Sequence, residues 1–186
     1  MKRTFDLLLG IGLLVLLAAP LLAIAVAVRL TSEGPILHWS KRIGRNNKIF
    51  LMPKFRSMKI STPQVATHLM SNPEIYLTSI GAFIRKTSLD ELPQLYSVLS
   101  GDMSFVGPRP ALFNQDDLVK LRTERGLSHL RPGITGWAQV NGRDELPIPV
   151  KVEFDYFYAK NYSFWLDLKI IAMTAYKVFR AEGVQH

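Results

Sequence analysis

The sequence predicts an α+β fold, mostly helical, in which an N-terminal membrane-inserted helix (residues 1–30) precedes a compact core (31–186) with a small β-hairpin. Three observations carry that expectation. Leu7 to Val28 run for 22 residues without a charge. Two short extended stretches, Ile36 to Ser40 and Ile49 to Phe55, flank the turn-like Gly44-Arg45-Asn46-Asn47. From Phe164 onward, apolar side chains repeat with helical period.

Composition narrows the classes. With 186 residues, 48% hydrophobic and 20% charged, the chain is about one domain long and too apolar for wholesale disorder. Cysteine is absent, which excludes disulfides, thiolate catalysis and sulfur-ligated metals. The net charge is +8, and residues 1–59, with 10 basic and 2 acidic side chains, hold the whole excess. These basic residues bracket the apolar run, a pattern that points to lipid headgroups rather than nucleic acid.

The apolar run, as a helix, extends roughly 33 Å and matches a bilayer core of about 30 Å. It is too long for a signal peptide and lacks a small-x-small cleavage site. Pro20 removes a helical hydrogen bond, so a bend is expected near Ala19-Pro20. Lys2 and Arg3 precede the run, and Arg29, Lys41, Arg42, Arg45 and Lys48 follow it. Positive flanks prefer the cytoplasm, so a kinked transmembrane helix and a helix that bends and returns to its own face both fit. Asp6 is expected at headgroup depth, where its charge costs little.

Further along, residues 57–75 are expected as a loop or short helix that covers the site, and a helix is expected over most of 88–99. Gly107-Pro108-Arg109-Pro110 reads as rigid irregular backbone, 114–127 as an exposed helix, and 131–136 as a stiff turn. After Trp137 to Val140 a loop is expected to about residue 149. The closing amphipathic helix places Lys169, Lys177, Arg180 and Asp167 on one side and Ile171, Leu168, Ala172 and Trp165 on the other. With Tyr156, Phe157, Tyr158, Tyr162 and Phe164 beside it, this helix suits a membrane interface as well as a soluble core.

Chemistry concentrates in Arg85-Lys86-Thr87-Ser88-Leu89-Asp90-Glu91-Leu92-Pro93-Gln94. Ser88 and Glu91 have capping-box spacing, although Pro93 moves the expected helix start toward Glu91. Asp90 then stands near a helix N-terminus, where free N–H groups keep a carboxylate ionised and also hold phosphate. Adjacent acids allow one to attack while the other binds a divalent ion or handles a proton. Arg109, Arg131 and Arg143 each adjoin stiff backbone, which lowers the cost of presenting a planar fork to phosphate oxygens. No Walker sequence and no G-x-G-x-x-G occurs, and no histidine pair has metal spacing.

Four stretches carry a family resemblance: Lys54-Phe55-Arg56-Ser57-Met58, the run from Arg85 to Gln94, Gly101 to Pro110, and Arg131 to Arg143. In this order they resemble the small bacterial sugar transferases, monotopic phosphoglycosyl transferases that begin glycan assembly on a polyprenyl carrier. The resemblance spans essentially the whole chain, as a catalytic core without the extra helices of larger relatives. It implies a re-entrant N-terminal helix broken at Ala19-Pro20, with Ala19 where relatives often carry serine. It also implies interfacial amphipathic helices around a cytosolic catalytic core at the cytoplasmic face of a bacterial inner membrane.

The implied reaction moves a phosphosugar from a UDP-sugar to polyprenyl (undecaprenyl) phosphate and releases UMP. Asp90 is the implied nucleophile, and Glu91, with Asp90, the implied holder of Mg²⁺. Arg85 and Arg109 are the implied phosphate contacts, with Arg131, Gln139 and Arg143 lining the nucleotide or phosphate region. Membrane phospholipids are implied partners, nucleic acid is not, and a homodimer is left open along with the identity of the sugar. Residues 60–75 and 144–149 are candidates for reading that sugar. Two rivals stand beside this reading: a membrane-anchored scaffold without activity, and a one-step transferase without a covalent intermediate.

Overall fold

Pro20 has no amide hydrogen and its ring crowds the carbonyl four residues earlier, so a helix reaching it breaks about one turn upstream. The computed structural model describes residues 1–62, 72–142 and 146–179. Helix α1 spans Lys2–Leu16 and α2 spans Ala18–Thr31. Leu17 between them (φ −95°, ψ 7°) marks a bend of 62°. The hinge is therefore Leu17 rather than the Ala19-Pro20 bond, and Pro20 sits in the first turn of α2, where N–H groups lack intrahelical partners anyway. Among the described residues no single helix is long and apolar enough to cross a membrane, but the bent pair passes that test together.

One side of α1 packs Leu9 and Leu13, joined by Leu17 at the bend, onto a core containing Met52, Val98, Met103, Phe105 and Ile170. Helix α2 packs Leu21, Ile24 and Val28 onto Phe55 and Ile84. Their other sides leave Leu8, Ile11, Val15, Leu16, Leu22 and Leu30 exposed. The headgroup placement of Asp6 is corrected. Asp6 is 1% exposed, and its Oδ1 accepts bonds of 3.1 Å from Ser104 Oγ and from the Phe105 amide. Lys2 Nζ donates to Asp167 Oδ2 (2.6 Å) and Tyr158 Oη (3.1 Å), and Arg3 donates to the carbonyls of Val98 and Leu99. These groups tie the start of α1 to the core through distant partners, although Asp6 Oδ2 is buried without a hydrogen bond among the described residues.

The hairpin joins β1 (Leu37–Ile43) to β2 (Ile49–Phe55), antiparallel, with Leu37 opposite Phe55 and Ile43 opposite Ile49. Its turn carries Asn46 and Asn47 at φ 55° and 58°, a region asparagine tolerates better than most residues. A second, parallel pair was not legible in the sequence: β3 (Ser104–Val106) beside β4 (Gly133–Thr135). A Cβ on Gly133 would stand 2.2 Å from the Gly107 nitrogen, so this pairing requires glycine there.

Between the sheets lie α3 (Gly81–Lys86), a 3₁₀ helix at Leu89–Gln94 and α4 (Leu95–Ser100). The single helix expected over 88–99 is thus divided, with Pro93 in its 3₁₀ part. The capping box is also corrected: Ser88 adopts φ 55°, ψ 18° and makes no side-chain cap bond. Then come α5 (Asp116–Glu124), α6 (Trp137–Asn141), α7 (Ile148–Lys160) and α8 (Phe164–Phe179). Residues 63–71 of the expected covering loop, Asp144 and Glu145 lie outside the described residues, as does Arg180.

Helix α8 turns the opposite way from its wheel. Asp167 (2% exposed) and Ile170 face the core, while Trp165 (77% exposed), Tyr176 and Val178 point outward. The acid goes inward because Lys2 and the Tyr158 hydroxyl, which donates to Asp167 Oδ1 at 2.7 Å, wait there.

Candidate active site

The left-handed turn at Ser88 separates α3 from the 3₁₀ helix and sets Asp90 and Glu91 in the first turn of the latter. Asp90 is buried and Glu91 is partly so. Strand alternation along β2 points Lys54 to the same side as buried Met52. From there its Nζ reaches Glu91 Oε1 at 2.6 Å and Asp90 Oδ2 at 4.0 Å. Arg109 Nη2 approaches Glu91 Oε1 from the opposite loop at 3.5 Å. Two acids and two cations thus come from three separate parts of the chain.

Burial pushes the Glu91 carboxyl up, but Lys54, Arg109 and Arg42 outweigh it and hold the group well below the usual carboxylate range. Counting Arg42, whose charge also acts on Glu91, three cations face the two carboxylates, so an incoming anion meets a favourable field.

Arg109 stands on a fastened loop. The Pro108 carbonyl accepts from the Gly133 amide (2.9 Å), that of Pro110 from Arg42 Nη1 (3.2 Å), and that of Ala111 from the Ile43 amide (2.9 Å). The two prolines offer no N–H, so carbonyls are where such a loop is held.

Other expected site residues are less clustered. Arg85 lies in the last turn of α3, five residues before Asp90. The Arg131 carbonyl backs against Gly107, where a Cβ would stand 2.3 Å away. Gln139 in α6 has both amide atoms buried without a partner among the described residues. Arg143 lies outside the described residues. Lys54 and Arg42 were missed as site residues. The available signal was a charged residue on the inward-facing alternation of each hairpin strand.

The donor set suits one kind of metal. Among the described residues no group of three His, Cys, Asp or Glu side chains stands together. Two adjacent carboxylates, each with an oxygen in ion-pair reach of Lys54, are donors of the kind taken by a hard ion that completes its shell with water and phosphate oxygens, as Mg²⁺ does. They do not fit an ion held by protein ligands alone.

Comparison with known proteins agrees along the chain. Residues 1–181 match the family described as bacterial sugar transferase. A protein of Bacillus subtilis (strain 168) named uncharacterized sugar transferase EpsL is 43% identical over 187 residues, covering 100% of this chain and 90% of that one. The undecaprenyl-phosphate galactose phosphotransferase of Salmonella typhimurium is 39% identical over 98% of this chain. The UDP-glucose:undecaprenyl-phosphate glucose-1-phosphate transferase of Escherichia coli (strain K12) is 42% identical over 96% of it. This chain spans about two fifths of the latter two proteins, 41% and 40%. With its whole length but the last few residues inside the match, the chain belongs to the bacterial sugar transferase family.

Proposed function

We propose that the chain transfers a phosphosugar from a UDP-sugar to polyprenyl phosphate in two displacements at Asp90. The observation that carries this is the Lys54–Glu91–Arg109 cluster around a buried Asp90 at the start of a 3₁₀ helix. Relatives whose names specify undecaprenyl phosphate and sugar phosphates support the substrate classes. An Asp90 carboxylate oxygen attacks the β-phosphorus of the donor, and the bond from that phosphorus to the bridging oxygen breaks. UMP leaves with the electron pair, and the phosphosugar stays on Asp90 as an acyl phosphate. A phosphate oxygen of the lipid then attacks the same phosphorus, and the Asp90 carboxylate is released.

Lys54 and Arg109 neutralise charge on the transferring group, so stabilisation comes from preorganised cations. Arg85, Arg131, Gln139 and Arg143 complete the phosphate and nucleotide surroundings in this reading. Asp90 and Glu91 would hold Mg²⁺. When bound, that ion supplies charge neutralisation on the diphosphate and on departing UMP.

The acceptor dictates the setting. An apolar groove of about 460 Å³ runs between α2 and the hairpin, lined by Leu21, Leu22, Ala25, Leu37, Phe55 and Pro93. Pro93 is three residues from Asp90, so an isoprenoid chain in this groove presents its phosphate near the acids. The exposed leucines of α1 and α2 then dip into the cytoplasmic leaflet and return at the 62° bend. The outward Trp165 and Tyr176 of α8 lie at headgroup depth. A passive scaffold gives no reason for cations converging on paired acids.

The test is UMP release by the lipid-reconstituted chain with Mg²⁺, undecaprenyl phosphate and a panel of UDP-hexoses and UDP-N-acetylhexosamines. Release with one donor, abolished by Asp90→Asn, is expected, together with a phosphosugar adduct on Asp90 by mass spectrometry when acceptor is omitted. Release that persists in Asp90→Asn overturns the nucleophile. Release without any adduct, and only with acceptor present, supports direct one-step transfer instead.

A further inference from the structure

Arg122 on α5 and Asp155 on α7 lie outside the acidic cluster, yet they form a buried ion pair with an extra bond. Asp155 is 2% exposed, and its Oδ2 accepts from Arg122 Nε at 2.9 Å and Nη2 at 2.7 Å. A buried pair of this kind seldom stabilises a fold more than well-packed apolar residues do, so its geometry points to some other use. The remaining arm supplies it: Arg122 Nη1 donates to the backbone carbonyl of Arg109 at 2.9 Å.

That carbonyl is the one in the Pro108–Ala111 loop whose restraint belongs to the arginine facing Glu91. Its neighbours are tied to β4, β1 and Arg42, as described above. The planar guanidinium can meet a carboxylate oxygen with two nitrogens and still aim the third at a carbonyl, which an ammonium cannot do. A tilt of about 10° at Arg109 moves its extended guanidinium by roughly 1 Å, and misplacement on that scale costs on the order of 100-fold in rate.

We propose that Arg122, fixed in place by Asp155, is a positioning residue that aims the Arg109 side chain at the transferring phosphate. This rests on reading Arg109 as a phosphate-binding group in the reaction proposed above. Arg122 bonds to Asp155 and to the Arg109 carbonyl, and it acts through the Arg109 peptide. Because the contact is to backbone, it survives any substitution of the Arg109 side chain, which makes the coupling measurable.

The experiment is a double-mutant cycle on the full chain reconstituted in lipid, reading initial rates of UMP formation with UDP-sugar and undecaprenyl phosphate. One arm is the paired change Arg122→Met with Asp155→Leu, which removes the clamp without leaving a lone buried charge. The other arm is Arg109→Met, which removes the charge being aimed. In the native background the paired change is expected to lower kcat by 10- to 100-fold. In the Arg109→Met background it is expected to cost less than about 3-fold, since the group being aimed is already gone.

A merely structural role predicts the same factor in both backgrounds, and that result overturns the positioning proposal while leaving Arg109's role intact. Normal rates in Arg109→Met alone sink the reading of Arg109, and the clamp with it. If the paired variant unfolds, Arg122→Lys keeps a cation beside Asp155 but cannot span both acceptors, and the same cycle is run with it. Full activity in a folded Arg122→Lys protein also overturns the proposal.

Discussion

Lys54 Nζ stands 2.6 Å from Glu91 Oε1, a charge-assisted bond joining the second hairpin strand to the 3₁₀ helix that bears the acids. The same ammonium is 4.0 Å from Asp90 Oδ2, so it sits where negative charge gathers when a diphosphate arrives. Lys54→Met should therefore lower the rate of UMP formation by roughly 100- to 1000-fold, the cost of losing one preorganised electrostatic contact. Lys54→Arg should recover part of it. Rates within a few fold of native in a folded Lys54→Met protein would assign Lys54 to structure alone.

Glu91 predicts a pH signature in stability. Its folded carboxyl is held below its ordinary value of 4.5, because Lys54, Arg109 and Arg42 prevail over burial. Such a group stabilises the fold above pH 4.5, and that contribution fades as the pH falls below it. Glu91→Gln leaves those cations without their counter-charge and should cost about 1–3 kcal/mol at neutral pH. Denaturant midpoints should show a constant gap between native and Glu91→Gln from pH 8 to pH 5, narrowing in acid. A gap that widens on acidification contradicts the assignment.

Asp6 makes a separate prediction about the anchor. Its Oδ1 satisfies both the Ser104 hydroxyl and the Phe105 amide in a buried setting. Asp6→Ala orphans both donors, which costs about 1–3 kcal/mol and lowers the melting temperature by several degrees in a chain of this size. Were Asp6 a headgroup residue, the substitution would leave the melting temperature unchanged.

The contrast between Asp6 and Asp90 shows what the sequence reveals. Asp90 and Glu91 stand out as candidates in the sequence because their signal is local: adjacent acids, a nearby turn and a recognisable motif. The hairpin was legible because its strands, from Leu37 and Ile49, alternate around a turn of asparagines. Asp6 and Asp167 were misplaced because hydropathy and helical wheels send charges to water. Their partners, Ser104 and Lys2, lie 98 and 165 residues away. The β3–β4 pair escaped for the same reason, since three-residue strands have no usable period and the clue is two glycine backbones in contact. Lys54 was quoted within a motif, but its role depends on which face of β2 turns toward the 3₁₀ helix, and only the packed structure decides that.

The outward side of α8 makes the last prediction. Trp165 is 77% exposed, next to Phe164, whose ring stacks edge-on against Phe5 at 5.3 Å. The aromatic patch is therefore contiguous with the first turns of the bent helix pair. In water such a ring gains nothing from exposure, whereas at headgroup depth its apolar body and N–H are both accommodated. Brominated lipids should quench a tryptophan emission component in proteoliposomes, and Trp165→Phe should remove that component. On the proposed anchoring by the helix pair, Trp165→Glu should remain bound but sit differently against the bilayer. UMP formation that depends on lipid acceptor should then fall more than formation of the Asp90 adduct, which needs no lipid. Quenching that persists unchanged in Trp165→Phe would move the interface away from α8, and equal losses in both half-reactions would argue that Trp165 serves only folding.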